Sequence, residues 1–208
     1  MASWDKTQYM EQRLEDKLEG GVYRGRKVIC RDSPIDGGVY IGAGEREAIV
    51  VDSKKYNEIK KLYKKAREKA LVGVVTKDVA KGLVLNAVYN TVKEAMKYDK
   101  DAVNGLINIC NSGTDGKIAL DVFIKNKVGV CRHMALACGA LLELFRKDGY
   151  IRGKASIDRN TINGGHAWCR YTNSGGEVFI LDVAQDYIGR LEKAENWNYR
   201  RPDEQKND

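Results

Sequence analysis

Several residue types are scarce in this sequence, and each scarcity narrows its chemistry. Two prolines stand against 21 glycines in 208 residues, which excludes polyproline and collagen-like segments. The five cysteines (Cys30, Cys110, Cys131, Cys138, Cys169) are odd in number, widely spaced and without a C-x-x-C pair. Zinc-ligand spacing is therefore missing, no metal site is expected, and reduced cytoplasmic thiols are expected rather than a disulfide framework. There are only two histidines, His133 and His166. No stretch approaches the roughly 20 apolar residues that span a bilayer, and the first residues lack the apolar core of a secretory signal. No membrane span is expected, and the expected location is cytoplasmic. Gly42-Ala43-Gly44 is followed by charged residues and a strand pattern, where a nucleotide-binding loop would open a helix. No cofactor is expected.

What is present reads as one globular domain with a small appendage, with 43% hydrophobic and 31% charged residues. The net charge of +7 is concentrated: Lys54–Lys69 holds eight basic and two acidic residues. Tyr56, Ile59, Tyr63, Ala66 and Ala70 recur there at helical spacing, giving a basic amphipathic helix over 54–71 with Ser53 as its N-cap. A solvated face explains the lysines, and nucleic acid is not the expected partner. A non-catalytic nucleic-acid- or partner-binding module using this helix stays open as an alternative. Oligomeric state has no signature here.

The pattern divides into residues 1–75, a helical and β extension; 76–190, a core; and 191–208, a polar tail fraying after Tyr199. In the first part, Met10, Leu14 and Leu18 mark a helix, followed by short strands at 26–30, 38–41 and 47–51. Helical spacing resumes over 79–98, with Val84, Val88, Val92, Ala95 and Met96 facing inward. Residues 131–145 are apolar nearly all round, predicting a buried central helix ended by Gly149. Strands follow at 153–157, 166–172 and 177–183. Asn173-Ser174-Gly175-Gly176 joins the last two as a hairpin. The fold class is α+β.

Three residues carry the chemistry. Cys131 opens the central helix, where the dipole and free N–H groups favour thiolate over thiol. His166 begins a strand and Asp182 ends the next. An imidazole beside the thiol lowers its pKa further, and a carboxylate behind the imidazole fixes its tautomer. The Cys131 N–H is a first oxyanion donor. A three-residue hairpin loop, 173–175 with Gly175 left-handed, sets His166 opposite Asp182 and puts Trp168, Ile180 and Val178 on their face. Trp168 is then a wall of the site. Asp186 is the alternative to Asp182. His133 points about 200° away from Cys131 round the helix and reads as packing; Arg132 reads as solvated.

Gly129-Val130-Cys131-Arg132-His133-Met134-Ala135, His166-Ala167-Trp168 and Leu181-Asp182-Val183-Ala184 together resemble the three motif blocks of the transglutaminase-like superfamily, a branch of the papain-like cysteine hydrolases. The blocks are spaced 35 and 16 residues apart, and the likeness covers about 80–190. Ala184 stands where that family often has proline. The resemblance implies a papain-like core: a central helix bearing the cysteine, packed on an antiparallel sheet bearing the histidine and aspartate. It also implies a second oxyanion donor from an upstream side chain, for which Tyr98 and then Asn90 are the candidates. The expected activity is cysteine-dependent acyl chemistry on amide bonds of a protein or peptide, through a thioester. Hydrolysis (protease or amidase) is favoured, with transglutaminase or protein deamidase as alternatives. Animal transglutaminases of this superfamily are usually larger and calcium-dependent, and no D-x-D-x-D-G calcium loop is present.

Overall fold

A computed structural model describes residues 21–42, 47–72, 81–111, 116–160 and 165–204. The expected N-terminal helix with Met10, Leu14 and Leu18 lies outside these residues. The chain is α+β. It runs β1 (Val22–Tyr23), β2 (Arg26–Lys27), β3 (Val39–Ile41), β4 (Ala48–Val50), α1 (Glu58–Ala70), α2 (Lys81–Ala95), β5 (Lys97–Tyr98), α3 (Lys100–Asn111), β6 (Lys117–Ala119), α4 (Leu120–Lys125), β7 (Val128–Gly129) and α5 (Cys131–Lys147). β8 (Gly153–Asn160), β9 (His166–Asn173), β10 (Val178–Asp182) and β11 (Tyr187–Arg190) follow. Among the described residues no helix is long and apolar enough to cross a membrane.

α5 forms because residues 133–142 give one another continuous burial; every one of them is buried. It lies on one face of an antiparallel sheet ordered β11-β10-β9-β8. Strand alternation divides that sheet cleanly. Cys169, Tyr171 and Leu181 face the helix and join the main core. Trp168 and Ile180 face the other way, into a second cluster closed by Leu191 and Tyr199. Residues 191–204, read from composition as a tail, thus form a strap across the back of the sheet. Arg201 anchors it with two bonds of 2.8 Å to the buried Asp158 and two more to Asp32. Glu204 accepts a further bond from Arg170 at 2.9 Å.

The basic helix buries Ile59, Leu62, Ala66 and Ala70 and leaves its lysines outward. It starts at Glu58, later than expected, because its cap comes from elsewhere in the chain. Asp121 Oδ2 accepts the Glu58 N–H at 2.5 Å, while the Ser53 hydroxyl donates to Asp36 at 2.5 Å. Ser53 is therefore not the N-cap. Among the described residues three small sheets complete the fold: the antiparallel pair β1-β2, the sheet β3-β4-β6, and the parallel pair β5-β7.

Candidate active site

The β9–β10 hairpin turns through Ser174-Gly175-Gly176, with the left-handed residue at Gly176 (φ +82°) rather than Gly175. Asn173 causes the shift. Its Oδ1 accepts the Gly175 and Glu177 N–H groups at 2.9 and 2.8 Å, so Asn173 closes the loop from the strand end. The loop still has three residues, which keeps His166 and Asp182 on one face. They are not directly opposite, however. The ladder ends at Leu181–Cys169, one step before Asp182 and three after His166. The long reach across the diagonal is bridged by the side chains: His166 Nε2 donates to Asp182 Oδ2 at 2.5 Å.

With Nε2 committed to Asp182, the Nδ1 side of the ring is left for Cys131, whose thiol hydrogen-bonds to His166 and to the Ala167 N–H. Burial pushes the thiol pKa up. The bond to His166, its charge, the Ala167 N–H and Arg132 more than offset this and bring it below its ordinary value. Burial likewise opposes the charged imidazole. The bonds to Asp182 and Cys131 overcome that and raise His166 to about 9. The two shifts describe one state, a thiolate–imidazolium pair. As the first helical residue, Cys131 has an N–H without an intrahelical acceptor.

Cys131 reaches this position through Gly129. A Cβ there would lie 2.7 Å from Met96 Cε and 3.1 Å from His133 Cβ. Glycine lets β7 run this close beneath the helix start without displacing Met96 or His133. Parallel pairing then sets Tyr98 beside Gly129. Burial and next the Cys131 charge push the Tyr98 phenol up, which keeps it neutral beside the thiol. Tyr98 is 43% exposed, open to an incoming substrate. Asn90 sits on the exposed side of α2, and no hydrogen bond joins it to these groups.

Trp168 departs from its expected role. It is fully buried behind the site, 5.9 Å from the His166 ring and 5.1 Å from Tyr199. The wall is Trp197, half-buried, edge-on to His166 at 4.9 Å. Asp186 is exposed and takes Tyr89 and Lys93 instead, at 2.6 and 2.5 Å, which leaves Asp182 as the third member. Asp182 is further held by the Tyr199 hydroxyl at 2.8 Å and the Gln185 N–H at 3.1 Å. Trp197, Tyr199 and Gln185 gave no local signal; only the strap's path assigns them.

Arg132 is bound rather than solvated. Its guanidinium meets Glu47 Oε2, and His133 Nε2 lies 2.6 Å from Glu47 Oε1. His133 Nδ1 accepts the Val130 N–H at 3.2 Å, standing in for a capping-box glutamate at the third helical position. Among the described residues no group of three or more His, Cys, Asp or Glu is arranged to hold a metal ion. Comparison with protein-family models, curated proteins and solved structures found no match.

Proposed function

We propose that the protein performs cysteine-dependent acyl chemistry on amide bonds through Cys131, His166 and Asp182, within a papain-like core of the transglutaminase-like type that its motifs resemble. The carrying observation is the imidazole of His166 held between the Cys131 thiol and the Asp182 carboxylate at the start of a 17-residue helix. The Cys131 thiolate attacks the amide carbonyl, and the negative oxygen is met by the Cys131 N–H and the Tyr98 phenol. His166 then gives its Nδ1 proton to the leaving amine as the C–N bond breaks, leaving a thioester. An incoming water loses its proton to His166 and attacks the thioester, releasing acid and thiolate. Asp182 keeps the ring oriented through both halves.

Hydrolysis is the favoured outcome because Cys131 retains partial exposure, giving water a path to the thioester. Transglutaminase and deamidase activities use the same thioester and differ in acceptor or amide donor. Incorporation of a fluorescent primary amine into a glutamine-containing protein would assign transfer instead.

The deciding experiment is iodoacetamide alkylation against pH, with peptide mapping, on wild type, His166→Ala and Asp182→Ala. Cys131 is expected to react well below the free-thiol pKa of about 8.5 and to lose that reactivity in His166→Ala. Cys138 and Cys169, whose pKa values burial pushes up, serve as inert references. A Cys131 that reacts like an ordinary thiol overturns the proposal.

A further inference from the structure

Asp182 is shared in an unusual way. Tyr199 and His166 donate to the same oxygen, Oδ2, at 2.8 and 2.5 Å, while Oδ1 takes only the Gln185 N–H. The direction of the Tyr199 hydroxyl is set from behind. The Asn196 side chain hydrogen-bonds to the phenol, and its Nδ2 also donates to the Gln185 carbonyl at 3.2 Å. Tyr199 is 1% exposed, stacked 5.7 Å from Tyr187 and edge-on to Trp168, so its hydroxyl has little freedom. The Arg201 anchor to Asp158 and Asp32 holds the strap two residues further on.

We infer that Tyr199 is a positioning residue of this site: by donating to the oxygen that His166 uses, it limits how tightly Asp182 holds the imidazole. This rests on the acyl-chemistry reading above. The chain Asn196 to Tyr199 to Asp182 draws negative charge away from the face of the carboxylate that meets His166. An imidazolium held less tightly is a stronger acid and gives its proton more readily to a leaving amine. The strap therefore does more than cover the sheet; it sets the acidity of the group that completes acylation.

The titratable groups around this pair are few. Cys131, Arg132 and Cys138 face it from α5, Tyr98 from β5, Tyr89 from α2, Tyr187 from β11 and Tyr199 from the strap. Burial raises all four tyrosines, so they remain neutral while His166 titrates.

Two histidines make the test clean. In the full chain with labelled histidine, long-range proton–nitrogen NMR resolves two imidazoles. His133, buried and neutral, is the internal reference. Tyr199→Phe removes only the hydroxyl, and the His166 midpoint is expected to rise by roughly half a pH unit, the scale of one neutral hydrogen bond. Asn196→Ala, at an exposed position, is expected to raise it less and in the same sense. An unchanged or lowered midpoint overturns the inference. If Tyr199→Phe loses the native His133 signals, Asn196→Ala alone decides. An ordinary Cys131 in the wild type sinks the acyl reading itself. An activated Cys131 with an unmoved His166 sinks only the role of Tyr199.

Discussion

The protein contains two histidine–carboxylate pairs, and only one of them sits beside a cysteine thiol. His133–Glu47 and His166–Asp182 have similar nitrogen–oxygen distances, 2.6 and 2.5 Å, but only the second has the geometry of a hydrogen bond. A further difference lies at the other ring nitrogen. His133 Nδ1 accepts a backbone N–H, which fixes the proton on Nε2 and leaves the ring neutral. Burial lowers its pKa, against the pull of Glu47. At His166 burial also opposes the charged ring, but the bond to Asp182 and then the bond to the Cys131 thiol overcome it, and its pKa rises. A carboxylate beside a histidine therefore does not by itself raise its pKa; burial outweighs Glu47 at His133, whereas Asp182 and Cys131 together outweigh it at His166. The first pair is a helix-start brace, and the second is the proton carrier of the proposed chemistry.

The comparison is broken most sharply by replacing each histidine. At pH 6, His166→Ala is expected to slow Cys131 alkylation by about a hundredfold, since a thiol of pKa near 8.5 is almost wholly protonated there. His133→Gln keeps an acceptor for the Val130 N–H and is expected to change that rate by less than about threefold. A large loss in both would make the brace part of the reactive group. Next in size, Glu47→Ala strands a fully buried imidazole and the Arg132 guanidinium. Breaking a buried pair costs about 3 kcal/mol or more, read by urea unfolding, with Arg132 regaining some water.

The acid limb is the third test. His133 has a folded pKa below its ordinary 6.5, so the unfolded chain takes up a proton that the folded chain refuses. Stability is expected to fall as pH drops below 6.5, by at most about 1.4 kcal/mol per pH unit. Glu47 adds a loss of the same sign below its ordinary 4.5, as pH falls through its lowered folded value. His133→Gln removes the first part. The second pair contributes little near neutrality, because the proton on His166 comes from Cys131 and the pair takes up none in total. The smallest effect belongs to Asp186→Ala, which is expected to leave the alkylation profile of Cys131 within about twofold of wild type, its carboxylate being fully exposed and bound to Lys93.

What was legible in the sequence is what local pattern encodes. The apolar continuity of 133–142 marked the central helix, and the odd hairpin loop kept His166 and Asp182 on one face. The exact register was not legible, because Asn173 decides it through a side-chain bond that pattern does not carry. Glu47 was read only as part of a strand; its partner Arg132 lies 85 positions away. Ser53 was the natural local cap for α1, and the true acceptor, Asp121, comes from 63 positions on. Tyr199 and Trp197 sit in a polar stretch that read as a tail, with fraying expected beyond Tyr199. Only the apolar back of the sheet, Trp168 and Ile180, makes them ordered.

The Arg201–Asp32 contact joins residues 169 positions apart. Closing so long a span comes at an entropic cost that grows with the logarithm of its length, and contacts of this separation slow folding. Local helices and the hairpin can form without it; the seating of the strap cannot be completed until that span has closed. Reactivity is thereby tied to the order of assembly. A chain with its elements formed but its span open carries a cysteine whose aspartate lacks the Tyr199 bond. On the inference above, such a chain holds its imidazolium more tightly than the finished protein, and the hold relaxes only when the strap is seated.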